Sequence, residues 1–153
     1  MLKYVNTDIV FQEIPDETTL AINISHCPCH CPGCHSSYLA KDFGEPLSND
    51  AIDRLIADND GLVTCVCLMG GDAEPQSVNN LAAYVKAKHP KMRVGWYSGR
   101  LRIDRAIDKQ NFDYIKVGPY IRHLGPLNCR TTNQRLYHVV DNQLHDITSH
   151  FWR

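Results

Sequence analysis

Apolar positions along the chain fall into short continuous runs separated by segments with helical spacing. Thr19–Ile24 (TLAINI) is a compact apolar run leading straight into a cysteine-rich segment. Leu62–Met69 (LVTCVCLM) is almost unbroken, the pattern of a strand buried on both faces in a parallel sheet. Arg93–Tyr97 (RVGWY) and Tyr114–Val117 (YIKV) read as two further short strands. Between the runs the period changes. Ile52, Leu55 and Ile56 share one helical face behind Ser48, a capping residue, with Asp50 in the first turn. Pro75 opens a second helix carrying Val78, Leu81, Ala82 and Val85, with Lys86, Lys88 and His89 in its last turn and Pro90 stopping it. A third, short helix is expected around Ile103, Ala106 and Ile107. Leu136–Ile147 reads as strands around a turn at Asp141-Asn142, antiparallel to each other.

The alternation β-α-β-α-β-α-β argues for parallel strands joined by right-handed crossovers. The expected fold is α/β, a partial (incomplete) (β/α) barrel with an open, mostly parallel sheet of about five or six strands and helices outside. Its 153 residues make a single domain over 1–153, short of the roughly 200 that a closed eight-fold barrel needs. Ligands of α/β sheets bind beyond the carboxyl ends of the strands. The cysteine segment, Gly70–Asp72, Tyr97–Gly99 and Gly118–Tyr120 therefore share one rim, and the architecture predicts a single site.

Charge removes several function classes. Lys+Arg 16 against Asp+Glu 17 leave a formal net charge of −1, which gives no bulk attraction for nucleic acid or an anionic membrane. No apolar run approaches the ~20 residues of a membrane span. The N-terminal MLKYVNTDIVFQEIPDE is interrupted by acidic and polar residues where a signal peptide needs an apolar stretch. The expected location is cytoplasmic, with no direct nucleic acid and no membrane among the partners.

The candidate chemistry lies in the cysteines. There are seven, and four of them, Cys27, Cys29, Cys31 and Cys34, crowd one short segment, His26-Cys27-Pro28-Cys29-His30-Cys31-Pro32-Gly33-Cys34-His35. A secreted disulfide scaffold spreads its cysteines to close long loops. Crowding them collects thiolates at one point, which in a reducing compartment means a metal or a cluster. Zinc takes four N/S ligands, usually as two separated pairs, and here CxxC occurs once, at Cys31 and Cys34, with no distant second pair. A zinc site would have to recruit Cys129 or a remote His. An iron–sulfur cubane can be held from one short loop. Choosing Cys27, Cys31 and Cys34 gives CxxxCxxC, three thiolates for four irons, with the fourth iron open to an exogenous ligand and Cys29 spare. Spacing and soft-ligand preference favour the cluster.

Cys27-x-x-x-Cys31-x-x-Cys34 resembles the cysteine motif of the radical S-adenosylmethionine (SAM) family. Cys31-Pro32-Gly33-Cys34, Gly70-Gly71-Asp72, Tyr114–Tyr120 and Thr131-Thr132-Asn133-Gln134-Arg135, in that order, are similar to segments of the activating proteins of anaerobic ribonucleoside-triphosphate reductases. The resemblance covers about residues 8 to 138. It implies a 4Fe-4S cluster on Cys27, Cys31 and Cys34 with SAM on the open iron. SAM contacts would come from Gly33, Cys34 and His35, and from Gly70, Gly71 and Asp72, whose carbonyls and carboxylate can receive the SAM ammonium. No catalytic residue beyond the cluster ligands is implied. The implied activity is that of a glycyl-radical enzyme activase. Its partners would be a class III (anaerobic) ribonucleoside-triphosphate reductase and an electron donor such as flavodoxin. Gly33 departs from the many radical SAM proteins that carry an aromatic residue there, although the activating-protein subgroup shares the glycine, and His35 stands where an aromatic is common. Alternative readings are an activase of pyruvate formate-lyase or another glycyl-radical enzyme, a small-molecule radical SAM enzyme, and a non-enzymatic zinc or closed iron–sulfur module.

Other singular residues have bland readings. Cys65 and Cys67 share a face of a buried strand and read as core packing. Cys129 has no partner at metal-ligand spacing. His26 and His30 read as loop lining, and Trp96 and Tyr97 as divided between core and rim. Thr131–Arg135 stays open between a SAM contact, a partner contact and a C-terminal turn.

Overall fold

The computed structural model describes residues 2–25 and 43–152. The chain forms β1 (Lys3–Val10), β2 (Thr19–Ile24), β3 (Glu45–Pro46), α1 (Asn49–Asp58), β4 (Cys65–Met69), α2 (Pro75–Lys88), β5 (Arg93–Tyr97), β6 (Tyr114–Val117), β7 (Arg135–Val140) and β8 (Gln143–Asp146). Short 3-10 turns cover Lys109–Asn111 and Thr148–Trp152. All the strands join one sheet in the order β3-β1-β2-β4-β5-β6-β7-β8. Its centre, β2-β4-β5-β6, is parallel, and both flanks are antiparallel. The architecture is an open mixed α/β sheet of eight strands with two helices among the described residues.

Four strand runs and both longer helices stand where the hydrophobic pattern places them, and the β7–β8 hairpin turns at Asp141-Asn142. Ser48 caps α1, its hydroxyl oxygen accepting from the Ala51 N–H at 3.1 Å. The expectation of a mostly parallel sheet of about five or six strands is corrected. Among the described residues the sheet has eight, and four of its seven pairings are antiparallel, because strands are added at both flanks by antiparallel pairing rather than by crossovers. Two local expectations are corrected as well. The segment 3–10, read only as too polar for a signal peptide, is strand β1. It is half-exposed along most of its length, so its stability comes from pairing with β2 (Thr7 opposite Ile22) rather than from its own apolarity. The third helix expected at 103–107 does not form. Asp104 and Asp108 bind the backbone N–H groups of Ala106 and Gln110 instead, a local competition that favours turns over helix.

The two faces of the sheet are covered differently. Leu20, Ile22, Val66, Leu68, Val94, Trp96 and Ile115 pack beneath α1 and α2, against Ile52, Ile56, Val78, Leu81 and Val85. A side chain of this size contributes about 1.5–3 kcal/mol when fully buried, which makes this layer the main source of stability. The opposite face carries Cys65, Cys67, Tyr114 and Leu136, with Ile14, Ile147 and Phe151 folded over it. Gly95 makes this possible, because a Cβ there would lie 2.6 Å from Ile14 Cδ1. The cover comes from the segment after β1 and from the C-terminal turn, and among the described residues β3 and β8 are the edge strands of the sheet. Asp53 joins the two helices, accepting from the Tyr84 hydroxyl and from His89 Nε2. Those hydrogen bonds hold its carboxyl below the usual range, Tyr84 contributing most.

Candidate functional site

The parallel register aligns one row of side chains across the carboxyl ends of the central strands. Asn23 pairs with Met69, Met69 with Tyr97 and Tyr97 with Lys116. Residues paired this way project from the same face, here the face opposite the helices. Asn23 Nδ2 donates to Asn6 Oδ1 of β1 at 2.7 Å, and the Tyr97 hydroxyl donates to the Glu13 carbonyl. Lys116 is buried. Its ammonium donates to the carbonyls of Ser98 (3.2 Å) and Gly118 (2.8 Å) and sits 5.7 Å from the centre of the Tyr97 ring. A buried ammonium is costly unless its donors are matched, and here the carbonyls of two rim loops supply the match.

Gly70–Asp72 leaves β4 beside this row. Gly70 has φ +115°, and a Cβ there would come within 3.2 Å of the Ile24 carbonyl oxygen. Its N–H donates to the Tyr97 carbonyl (3.0 Å), and its own carbonyl accepts from the Trp96 indole (2.7 Å). Gly71, at φ +90°, leaves no room for a Cβ against Val78 Cγ2. Asp72 is buried. Its two carboxylate oxygens accept from the Ser98 hydroxyl (2.5 Å) and the Gly99 N–H (2.8 Å), which braces the ends of β4 and β5 together.

The loops after β5 and β6 close the rim. The Gly118 N–H donates to the Arg100 carbonyl at 2.6 Å. In the later segment the Thr131 hydroxyl donates to the Leu124 carbonyl, Thr132 is buried with its hydroxyl oxygen accepting from the Gln134 N–H, and Asn133 Nδ2 donates to the Pro119 carbonyl. Asn133 Oδ1 is buried without a hydrogen-bond partner among the described residues, an acceptor at the rim still lacking a donor. Arg135 lies 5.9 Å from the Trp152 ring centre.

Gly70, Gly71 and Asp72 are thus brought together with the end of β2, which leads into the cysteine segment. Cys27, Cys29, Cys31, Gly33, Cys34 and His35, with His26 and His30, lie outside the described residues. Ile24, which lies against Gly70, is three residues before Cys27 in the sequence. Among the described residues no group of three or more His, Cys, Asp or Glu could hold a metal ion. Cys65 and Cys67 are buried free thiols. Burial pushes both pKa values well up, with Glu17 adding to the effect at Cys65 and Cys65 at Cys67. A thiol that resists ionisation is a poor metal ligand, and these two serve the core. Trp96 is core and Tyr97 belongs to the rim row. Sequence reasoning missed the roles of Lys116, Ser98 and the Trp96 indole. Only Lys116 left a signal, an ionisable residue inside the apolar run YIKV. A groove of about 550 Å³ between the first turns of α1 and α2 contains no residue of the row.

A model of the 4Fe-4S single cluster domain family matches residues 18–117, a span that includes the cysteine segment and the whole parallel centre of the sheet. The chain belongs to that family and carries a 4Fe-4S cluster domain. Comparison with curated proteins and with solved structures gives no match. Among the described residues no helix is long and apolar enough to cross a membrane.

Proposed function

We propose that this iron–sulfur protein is a radical SAM activase that generates a glycyl radical on an anaerobic ribonucleoside-triphosphate reductase. The observation that carries the reading is the placement of Gly70-Gly71-Asp72. The glycine pair, where a Cβ would meet Ile24 and Val78, stands against the strand end that leads into Cys27-x-x-x-Cys31-x-x-Cys34.

Cys27, Cys31 and Cys34 would hold the 4Fe-4S cluster and leave one iron to the amino and carboxylate groups of SAM. Once bound, this pair of cofactors supplies one-electron cleavage of the sulfonium and a 5′-deoxyadenosyl radical able to take hydrogen from a glycine Cα. The chain's part is to bind, orient and exclude water. Gly70 and Gly71 allow the methionine portion of SAM to approach the backbone. The Trp96 indole and the Asp72–Ser98–Gly99 brace hold that backbone still. Lys116 ties the loops after β5 and β6 together through the Ser98 and Gly118 carbonyls, and Asn133 Oδ1, without a hydrogen-bond partner among the described residues, is suited to a donor such as an amino group. An open sheet, read as an incomplete (β/α) barrel, leaves a lateral approach for a protein substrate. Electrons would come from a donor such as flavodoxin.

The test is anaerobic reconstitution with iron and sulfide, then SAM and dithionite, with 5′-deoxyadenosine as the readout. Release of 5′-deoxyadenosine is expected, followed by a glycyl-radical resonance when the reductase is added. A reductase whose radical glycine is replaced by alanine should give no such resonance. Turnover of a free small molecule with no radical on either reductase would overturn the activase reading.

A further inference from the structure

The loops after β5 and β6 are electrostatically unlike the rest of the chain. Residues 98–108 hold Arg100, Arg102 and Arg105, and residues 118–134 hold Arg122 and Arg130 with no Asp or Glu. Asp104 and Asp108, the only acids of the first loop, bind backbone N–H groups of their own turns. Together the two loops carry three more Arg than Asp+Glu, in a chain whose net charge is −1. Arg100, Arg102, Arg105 and Arg122 are exposed, and among the described residues none is in an ion pair. Arg93, Arg135, Lys86 and Lys88, by contrast, are all paired with acids.

Leu101 stands between two of these arginines in the sequence and is 72% exposed, the highest value among the exposed large hydrophobics of the described residues. Alone it would be an ordinary surface leucine. Flanked in sequence by Arg100 and Arg102 it has the make-up of an interface: an apolar anchor that can be desolvated, next to Arg, the charged residue most enriched in such patches. The strip is rigidly joined to the site. Arg100 follows Gly99, whose N–H binds Asp72, and the Arg100 carbonyl accepts from Gly118.

We infer that Arg100-Leu101-Arg102, with Arg105 and Arg122, is a docking strip for an acidic segment of a partner protein, an apolar side chain of which covers Leu101. The inference rests on the reading above in one respect, that the partner is a protein. A nucleic acid fits less well, because binding by phosphate contacts typically uses about 6–10 of them, more than these loops offer, and has no use for an exposed leucine.

The probe is a labelled peptide of Glu-Glu-Leu repeats, its binding to the reconstituted full chain followed by fluorescence anisotropy. It should bind at least about tenfold more tightly than a Gln-Gln-Leu peptide and weaken as salt rises from about 50 to 200 mM. Arg100→Glu/Arg102→Glu and, separately, Leu101→Asp should each weaken it about tenfold or more, while Arg54→Glu on the exposed face of α1 should not. If the double variant melts early by circular dichroism, Arg105→Glu/Arg122→Glu carries the same test. Equal binding of the two peptides, or equal loss with Arg54→Glu, overturns the strip. So does tighter binding of a single-stranded oligonucleotide or of phosphatidylglycerol vesicles. Release of 5′-deoxyadenosine by the same preparation reports the activase reading separately. Cleavage without peptide discrimination overturns the strip alone, and peptide discrimination without cleavage overturns the activase alone.

Discussion

At the scale of single residues, the rim depends on atoms that are absent as much as on those present. Gly71 has φ +90°, and a Cβ there would sit 2.5 Å from Val78 Cγ2. Gly71→Ala therefore combines left-handed strain with overpacking, and we expect it to cost about 2–4 kcal/mol in a urea melt. An unchanged midpoint would show that this turn is not held as described. Cys65 and Cys67 make the opposite kind of test. Both stay protonated in the fold because burial raises their pKa, whereas an unfolded thiol ionises near about 8.5. As pH rises past that value the unfolded chain gives up protons that the native one keeps. Stability is thus intact below about pH 8.5 and falls above it, by up to about 1.4 kcal/mol per pH unit for each thiol. Urea midpoints from neutral to alkaline pH should show the decline, and Cys67→Ala should make it shallower. These thiols were legible as core from the run LVTCVCLM. The Trp96 bond to Gly70 was not, since nothing in a sequence says which carbonyl an indole will meet.

At the scale of elements, periodicity located what packing rewards. α1 and α2 carry apolar stripes that bury Ile52, Ile56, Val78 and Val85, and the central strands are apolar because both their faces are covered. β1 escaped because a half-exposed antiparallel strand has no such pattern. The crossover between the parallel strands β5 and β6 forms without its expected helix because Asp104 and Asp108 cap turns, which an apolar triplet such as Ile103, Ala106 and Ile107 does not reveal. The β7–β8 hairpin is the clearest local success: Asp141 and Asn142 both take positive φ, 50° and 63°, as a two-residue hairpin with matched twist requires. Asn142→Ala should lower stability by about 1 kcal/mol and Asn142→Gly should not lower it. Equal melting temperatures for the two variants would count against this turn.

At the scale of the whole molecule, the end of β2, which leads in sequence into the cysteine segment, joins a rim that the sheet assembles from four strands. We expect Cys27→Ala, Cys31→Ala and Cys34→Ala each to lose the SAM-competent cluster, and Cys29→Ala to keep it, judged by bound iron and the visible absorption of reconstituted protein. Retention in Cys27→Ala with loss in Cys29→Ala would reassign the ligand set. An iron without a protein ligand also leaves the cluster open to oxidants, so the absorption should bleach in air. By itself the sequence determined the metal chemistry, the strands of the parallel centre and the rim they share. Thiol spacing, apolar runs and capping residues are local properties, and a linear chain displays them in full. Tertiary structure alone decided the rest: the antiparallel flanks, the Asn23–Met69–Tyr97–Lys116 row, the binding of Asp72 to Ser98 and Gly99, and the exposure of Leu101 beside arginines that form no ion pair among the described residues. Each of these depends on register and on contacts between residues far apart in the chain, and strand pairing settles them only when the whole sheet is assembled.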